Sequence, residues 1–527
     1  MLPLLLSTIL IAGQAPTPAA AVPVTGPPAI MGSTPRPRFL PPLPPAEKIL
    51  LTFTDGTPSP PSDGLSTPST LGISLPAIGK TPPARAVRCL QDATLTIDEP
   101  KPFEVPAPLL PIPAIKQAET ATAPGAVTEP ERWFMMRALQ GTWYGALLDD
   151  NRMSISGWTE MAFTASTAKV SNLPVTWNDR ANQFLLHQNV IRFDRAIDTT
   201  AADPTWGFRV DTLVGSDYRF TVARGLFDSQ LANSTGAQNL SGVDLVTFYT
   251  NVYLPSLFQG TEIAIGRFLT PISSESEETI LTPLLTRSMS FNYGGPFTHT
   301  GLSVTSKLTS QFTARAILAL GNDVFIDRSA ELRFIGSLVW TSLDARDTLT
   351  FNPCVGRGKF NAGAPFAPAT FGTSQEPIGR NNINSFDLIW THVFTSRFTY
   401  QLELETGYQY GVPTTAAVRA TMGGEGAIVS DDRLSGTAHW ASVVNYFFYK
   451  WTTKLMTITR LEAFDDFNGQ RTGFKGLYTE ATTGFQYNIT KDVIIRPELR
   501  YDYNGYSRPF EGKHDIFTTA FDLIVRW

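Results

Sequence analysis

With 527 residues, a net charge of −5, 17% charged and 11% aromatic residues, the chain is long enough for several soluble domains or one large barrel. Its charge balance leaves no basic patch for nucleic acid, and it carries no nucleic-acid-binding motif. The only two cysteines, Cys89 and Cys354, exclude a disulfide framework, and beyond Leu2–Ala12 no apolar run approaches the roughly 18 residues of a spanning helix.

In chain order, Leu2–Ala12 followed by Ala19-Ala20-Ala21 predicts a secretory signal peptide over 1–21. No Lys or Arg precedes Arg36, so an apolar start to a disordered tail is the other reading. Most of the 40 prolines lie in 1–130, in clusters such as Pro41-Pro-Leu-Pro-Pro45. Proline fixes φ and removes a backbone donor, so 22–130 is expected to be disordered and extended. After export it would be periplasmic, either a passive spacer or a contact to the cell wall. Residues 131–153 form a lead-in, with a short helix predicted over Glu131–Gln140.

From 154 to 527 the sequence reads as sixteen strands. They fall at 154–167, 184–197, 206–220, 243–255, 261–270, 299–309, 312–320, 331–342, 347–352, 382–395, 398–411, 436–451, 454–467, 477–489, 493–504 and 517–527. Every odd-numbered connection is longer than the turn after it, as in outer-membrane barrels with short periplasmic turns and long extracellular loops. In the fifteenth strand Val493, Ile495, Leu499, Tyr501 and Tyr503 share one face, opposite Arg496, Glu498, Arg500 and Asp502. A charge facing lipid at mid-membrane costs about 2–4 kcal/mol, so the charged face must line a wet lumen. The chain stops on a strand whose last residue, Trp527, suits an interfacial aromatic girdle. The expected fold is all-β: an antiparallel transmembrane β-barrel of sixteen strands.

Trp177-Asn-Asp-Arg-Ala-Asn-Gln-Phe184, Gly215-Ser-Asp-Tyr-Arg219, Val252-Tyr-Leu-Pro255, Gly266-Arg-Phe-Leu-Thr-Pro271 and Gly295-Pro-Phe-Thr-His-Thr-Gly301 resemble the β-barrel porin-2 family of outer-membrane proteins. The resemblance covers most of 150–527 and is strongest between 177 and 305. It implies a channel-forming barrel in the bacterial outer membrane. The function expected is a porin passing small polar solutes and ions by diffusion. Two alternatives stand beside it: a sugar-selective barrel with Trp390, Trp440 or Tyr408 lining the path, and an envelope-tethering protein anchored by its barrel. The partners implied are outer-membrane lipid, the barrel assembly machinery, the solutes themselves and copies of the chain in a homotrimer.

The third long connection, 271–298, carries Glu275, Glu277 and Glu278. By its place in a sixteen-stranded barrel it is expected to fold into the pore and form a constriction. Arg192, Arg209, Arg219, Arg267, Arg315 and Arg333 would supply the opposing basic wall. In an open, wet lumen the three acids would bias ion flow more than they hold the fold together. A solvated loop tip is the competing reading. The histidines, His187, His299, His392, His439 and His514, fit no zinc helix, nucleophile elbow or phosphate loop. A rim site built on His392 or His439 with a nearby Ser is the enzymatic alternative; no catalytic residue, cofactor or metal is expected. Cys354 is placed in the fifth long loop, outside the cell and apart from Cys89.

Overall fold

The computed structural model describes residues 132–231, 239–326, 331–357, 382–412, 417–420, 426–429 and 436–527. The signal peptide, the Pro-rich segment 22–130 and Cys89 lie outside the described residues.

Sixteen strands close into one antiparallel barrel. They are β1 (Met153–Ser166), β2 (Gln183–Arg195), β3 (Thr205–Gly215), β4 (Gly242–Leu254), β5 (Thr261–Leu269), β6 (Thr298–Lys307), β7 (Phe312–Ala319), β8 (Arg333–Thr341), β9 (Asp347–Gly356), β10 (Ile383–Val393) and β11 (Phe398–Val412), then β14 (Gly436–Lys450), β15 (Leu455–Asp466), β16 (Gly476–Asn488), β17 (Val493–Asn504) and β18 (Asp515–Arg526). Between β11 and β14 stands a separate hairpin, β12 (Ala417–Ala420) with β13 (Gly426–Val429), which the sequence reading did not foresee. Each barrel strand pairs with its chain neighbours, and β1 pairs with β18 from Trp158↔Arg526 to Ser166↔Thr518. Closure removes the open edges on which sheets aggregate. At the seam Gly157 and Trp527 exchange backbone hydrogen bonds of 2.9 Å. A Cβ on Gly157 would lie 2.5 Å from the Trp527 ring, so the terminal indole needs glycine beneath it.

The two faces divide as the alternation requires. On β17, Pro497, Leu499, Tyr501 and Tyr503 are exposed outward while Arg496, Glu498, Arg500 and Asp502 are buried inside. β11 repeats this, with Leu404 and Tyr408 outside and Gln401, Glu403, Glu405 and Gln409 inside.

Three boundaries differ from the sequence reading. β3 ends at Gly215 and not at 220, because Asp217 turns inward to accept from Gln188 Nε2 at 3.0 Å and to meet His187 Nδ1 at 2.9 Å. Arg219 therefore sits on a helical turn, Tyr218–Thr221, and not on a strand. β9 runs on to Gly356, which places Cys354 inside the barrel wall, fully buried, and not in an extracellular loop. The strand tolerates Pro353 because the β8–β9 ladder is interrupted between Ile335↔Cys354 and Leu338↔Phe351. Gly336 stands opposite, and its missing side chain leaves room for the proline ring. Lastly, the lead-in holds two helices, Phe134–Leu139 and Trp143–Asp150, the second capped by Thr142, whose hydroxyl accepts from Gly145 N–H at 3.0 Å.

Candidate functional site

The connection between β5 and β6, residues 270–297, lies inside the barrel, and nearly every residue in it is buried. Thr270 N–H donates to the Phe297 carbonyl at 2.9 Å and closes the base of the loop. Apart from a 3-10 turn (Thr279–Leu281) and a short helix (Met289–Tyr293) it has no regular structure, so its backbone groups need other partners. Wall carboxylates accept from loop amides: Asp387 from Ser273 (3.0 Å), Glu403 from Ser274 (3.1 Å), Glu498 from Leu285 and Thr286 (3.0 and 3.1 Å), and Glu462 from Met289 and Ser290 (2.7 Å each). Wall guanidiniums donate to loop carbonyls: Arg496 to Thr282 (2.6 Å), Arg500 to Arg287 (2.6 Å) and Arg460 to Thr286 (2.8 Å). The loop is thus fastened to β10, β11, β15 and β17.

The three loop acids occupy different surroundings. Glu275 is fully buried, paired with Arg460 at 2.7 Å, and accepts from Ser288 N–H and Oγ. Arg460 also binds Glu480 at 3.1 Å. Glu277 is buried, and its carbonyl accepts from Gln188 Nε2 at 2.7 Å. Glu278 pairs with Arg192 at 2.8 Å, and Arg192 grips Asp211 through two bonds of 2.8 and 2.9 Å.

A cavity of about 220 Å³ remains between the loop and the opposite wall, β3 to β7. The loop contributes Ser276 and Glu278; the wall contributes Arg209, Tyr249, Glu262 and Arg315. Register sets Arg315 of β7 beside Thr305 of β6, which stands beside Glu262 of β5. Arg315 Nε donates to Ser303 Oγ at 3.0 Å.

Of the six arginines read from the sequence, Arg209 and Arg315 line this cavity and Arg192 holds Glu278. Arg219 lies elsewhere, bound to Asp179 of the β1–β2 loop at 2.7 Å. Burial pushes the Asp179 carboxyl up, but the Arg219 charge and hydrogen bonds hold it below the ordinary carboxylate range. Arg267 is locked to Asp244 at 2.9 Å, and Arg333 caps the carbonyls of Arg357 and Ile383. The sequence reading missed Arg460 as the partner of Glu275, and missed the carboxylates that carry the loop. Their signal was the inward charge ladder of β15 and β17, which does not say what the charges touch. Among the aromatics proposed for a sugar path, Trp390 and Tyr408 face outward with Leu388 and Leu404; Trp440 alone points inward, under the Arg471 guanidinium at 5.1 Å.

Over the loop, the β1–β2 connection folds into the barrel mouth. Trp177 stacks on Phe220 at 4.9 Å and packs near Phe291 and Phe297, with Arg287 over its ring at 5.0 Å. Tyr293 Oη donates to the Pro174 carbonyl at 2.6 Å.

A closed sixteen-stranded barrel with an apolar outer face, a charged lumen and an in-folded third long loop defines an outer-membrane porin. Residues 152–526 match the family described as "Putative beta-barrel porin-2, OmpL-like", and the chain belongs to that family. No curated protein sequence matches it. Among solved structures it is similar to the anion-selective porin from Comamonas acidovorans, at 10% identity and a TM-score of 0.44, covering 71% of this chain and 98% of that one. It is also similar to the outer membrane channel DcaP of Acinetobacter baumannii (9%, TM-score 0.45, 71% and 96% covered). Salmonella typhi OmpF, in a complex with daunomycin, gives 11%, 0.46, 72% and 99%. The family assignment rests on the sequence match.

Proposed function

We propose that small polar solutes and ions diffuse through the space between loop 270–297 and the β3–β7 wall. There the Glu278 carboxylate and the Arg209 and Arg315 guanidiniums set selectivity. One observation carries this: the 220 Å³ cavity has the loop acid Glu278 on one side and two strand arginines, with Glu262, on the other. Opposed charges across a narrow path create a transverse field that filters by charge as well as size. Reversal potentials in a KCl gradient test it. At about 0.01 M salt the screening length reaches roughly 30 Å, so single charges are felt. Glu278→Gln should shift selectivity toward anions, and Arg209→Gln with Arg315→Gln toward cations. Unmoved reversal potentials in both variants would remove these residues from the path.

On the same proposal, 1–21 directs secretion, supported by the apolar run Leu2–Ala12 and the alanines 19–21, and 22–130 is a periplasmic segment, supported by proline content alone. A homotrimer is supported by small outward side chains at mid-height on β14–β16, namely Ala441, Thr459, Ala463, Ala481 and Thr483, which let another wall approach closely. Cross-linking in native membranes reports that state.

A further inference from the structure

β18 stops before β1 does. The last ladder pair is Trp158↔Arg526, so among the described residues the edge of β1 from Met153 to Ser156 has no strand on that side. The two lead-in helices occupy this gap. Met136 is buried against the edge, its Sδ accepting from Ile155 N–H at 3.4 Å. Arg137 reaches across to Asp492, in the β16–β17 turn, at 2.5 Å. Arg526 sits over the Trp133 ring at 5.1 Å. The hairpin is therefore fastened on both sides of the seam and continues the barrel wall at the end bearing the short turns.

Its other side is apolar and open. Trp143 is 80% exposed, Phe134 56%, Leu147 50% and Tyr144 39%. Leu147 lies four residues after Trp143 and three after Tyr144, so both rings flank it on one side of the helix, and the two rings meet edge to face at 5.6 Å. Solvent alone gives no reason to display two aromatics and a leucine from one eight-residue helix. The barrel's outer surface beside β1 has the same character, with Ile191 and Trp206 exposed and Trp527 closing the seam. Arg132, Arg137, Arg152 and Lys491 stand nearby, the arginines paired with Asp149, Asp492 and Asp198.

We propose that this helical hairpin is an interfacial lipid anchor, its Phe134, Trp143, Tyr144 and Leu147 face lying in the periplasmic headgroup–acyl boundary of the outer membrane. Trp and Tyr prefer that layer because an apolar ring is buried while its N–H or O–H stays hydrated. The anchor completes the lipid-facing wall where β18 ends. It also fixes the point where the N-terminal segment leaves the barrel at the membrane surface.

The test places an environment-sensitive fluorophore at Leu147→Cys in the full chain. The parent is Cys89→Ser, whose remaining thiol, the buried Cys354, sets the labelling background. The barrel is reconstituted in phosphatidylethanolamine/phosphatidylglycerol vesicles carrying doxyl groups near the headgroup or at mid-chain, and iodide is the aqueous quencher. Leu343→Cys, in the β8–β9 turn and 85% exposed, marks water; Leu338→Cys, outward on β8, marks lipid. An interfacial helix lies about 5–10 Å into the boundary. The label at 147 should emit to the blue of that at 343, be quenched most by the shallow doxyl group, and largely escape iodide. Emission and iodide quenching equal to position 343 would overturn the proposal. Shielding from both quenchers would overturn it too, because the face would then be covered by protein, either 1–131 or a partner.

Discussion

Glu275 and Glu278 are three residues apart in the sequence but in different physical situations. Glu278 borders the cavity, whereas Glu275 and Arg460 are both fully buried and tied to the same loop. Removing one partner of a buried pair leaves an uncompensated charge and costs about 3–5 kcal/mol. Arg460→Leu, which strands both Glu275 and Glu480, should therefore lower the thermal unfolding temperature of the folded barrel markedly, while Glu278→Gln should lower it less, because Arg192 keeps both of its bonds to Asp211. Denaturation followed by heat-modifiable mobility reads both. Against the expectation that the three acids bias ion flow more than they hold the fold together, the buried Glu275–Arg460 pair argues for the reverse at Glu275. At the rim bearing the long loops, Glu511 accepts from the backbone N–H groups of Lys169, Val170 and Ser171 at 2.7, 2.8 and 3.0 Å. Burial raises its pKa, but these three donors lower it further, leaving it below the usual glutamate range. A depressed carboxylate pKa contributes stability that is present above the unfolded value of about 4.3 and is lost as pH falls through the lower folded value. The protection of the 169–171 amides, their exchange relative to an unprotected amide at the same pH, should fall on acidification in that window. Glu511→Gln should show low protection throughout and lack the dependence.

The strands were legible because period-two alternation survives in sequence whatever the loops do. Leu499, Tyr501 and Tyr503 against Glu498, Arg500 and Asp502 is one such case. What holds the loop was not legible. Arg460 meets Glu275 across 185 positions, and Glu498 meets the Leu285 amide across 213, so no local pattern records either contact. The ninth strand, read as 347–352, runs on through Pro353, and only the gap in the β8 ladder opposite Gly336 shows why a proline is tolerated there. Gly336→Val should accordingly crowd the Pro353 ring and lower barrel stability, whereas Gly336→Ala should cost less; thermal unfolding of the pair checks the order. β18 closes the barrel, so Trp527→Ser or removal of 518–527 should cut the amount of heat-modifiable barrel recovered from the outer membrane. Normal assembly of both variants would contradict the seam described here.

At the scale of the whole molecule, the barrel is divided along its length. One side, β10–β17, is given over to fastening loop 270–297, and the other, β3–β7, faces the cavity. The division of labour in this wall is electrostatic: carboxylates and guanidiniums are spent on loop amides and carbonyls on the first side, leaving Arg209, Glu262 and Arg315 lining the cavity on the second. The central claim is that solutes pass on that second side. Single-channel recording in planar bilayers with thiol modification tests it most directly. In the Cys89→Ser parent, Thr305→Cys lies in the cavity wall, while Thr482→Cys lies between Arg460 and Arg500 where the loop is fastened. A charged, water-soluble methanethiosulfonate should reduce the conductance of the Thr305→Cys channel in discrete steps and leave the Thr482→Cys channel unchanged. Block at 482 with none at 305, or the absence of channel steps altogether, would contradict the account.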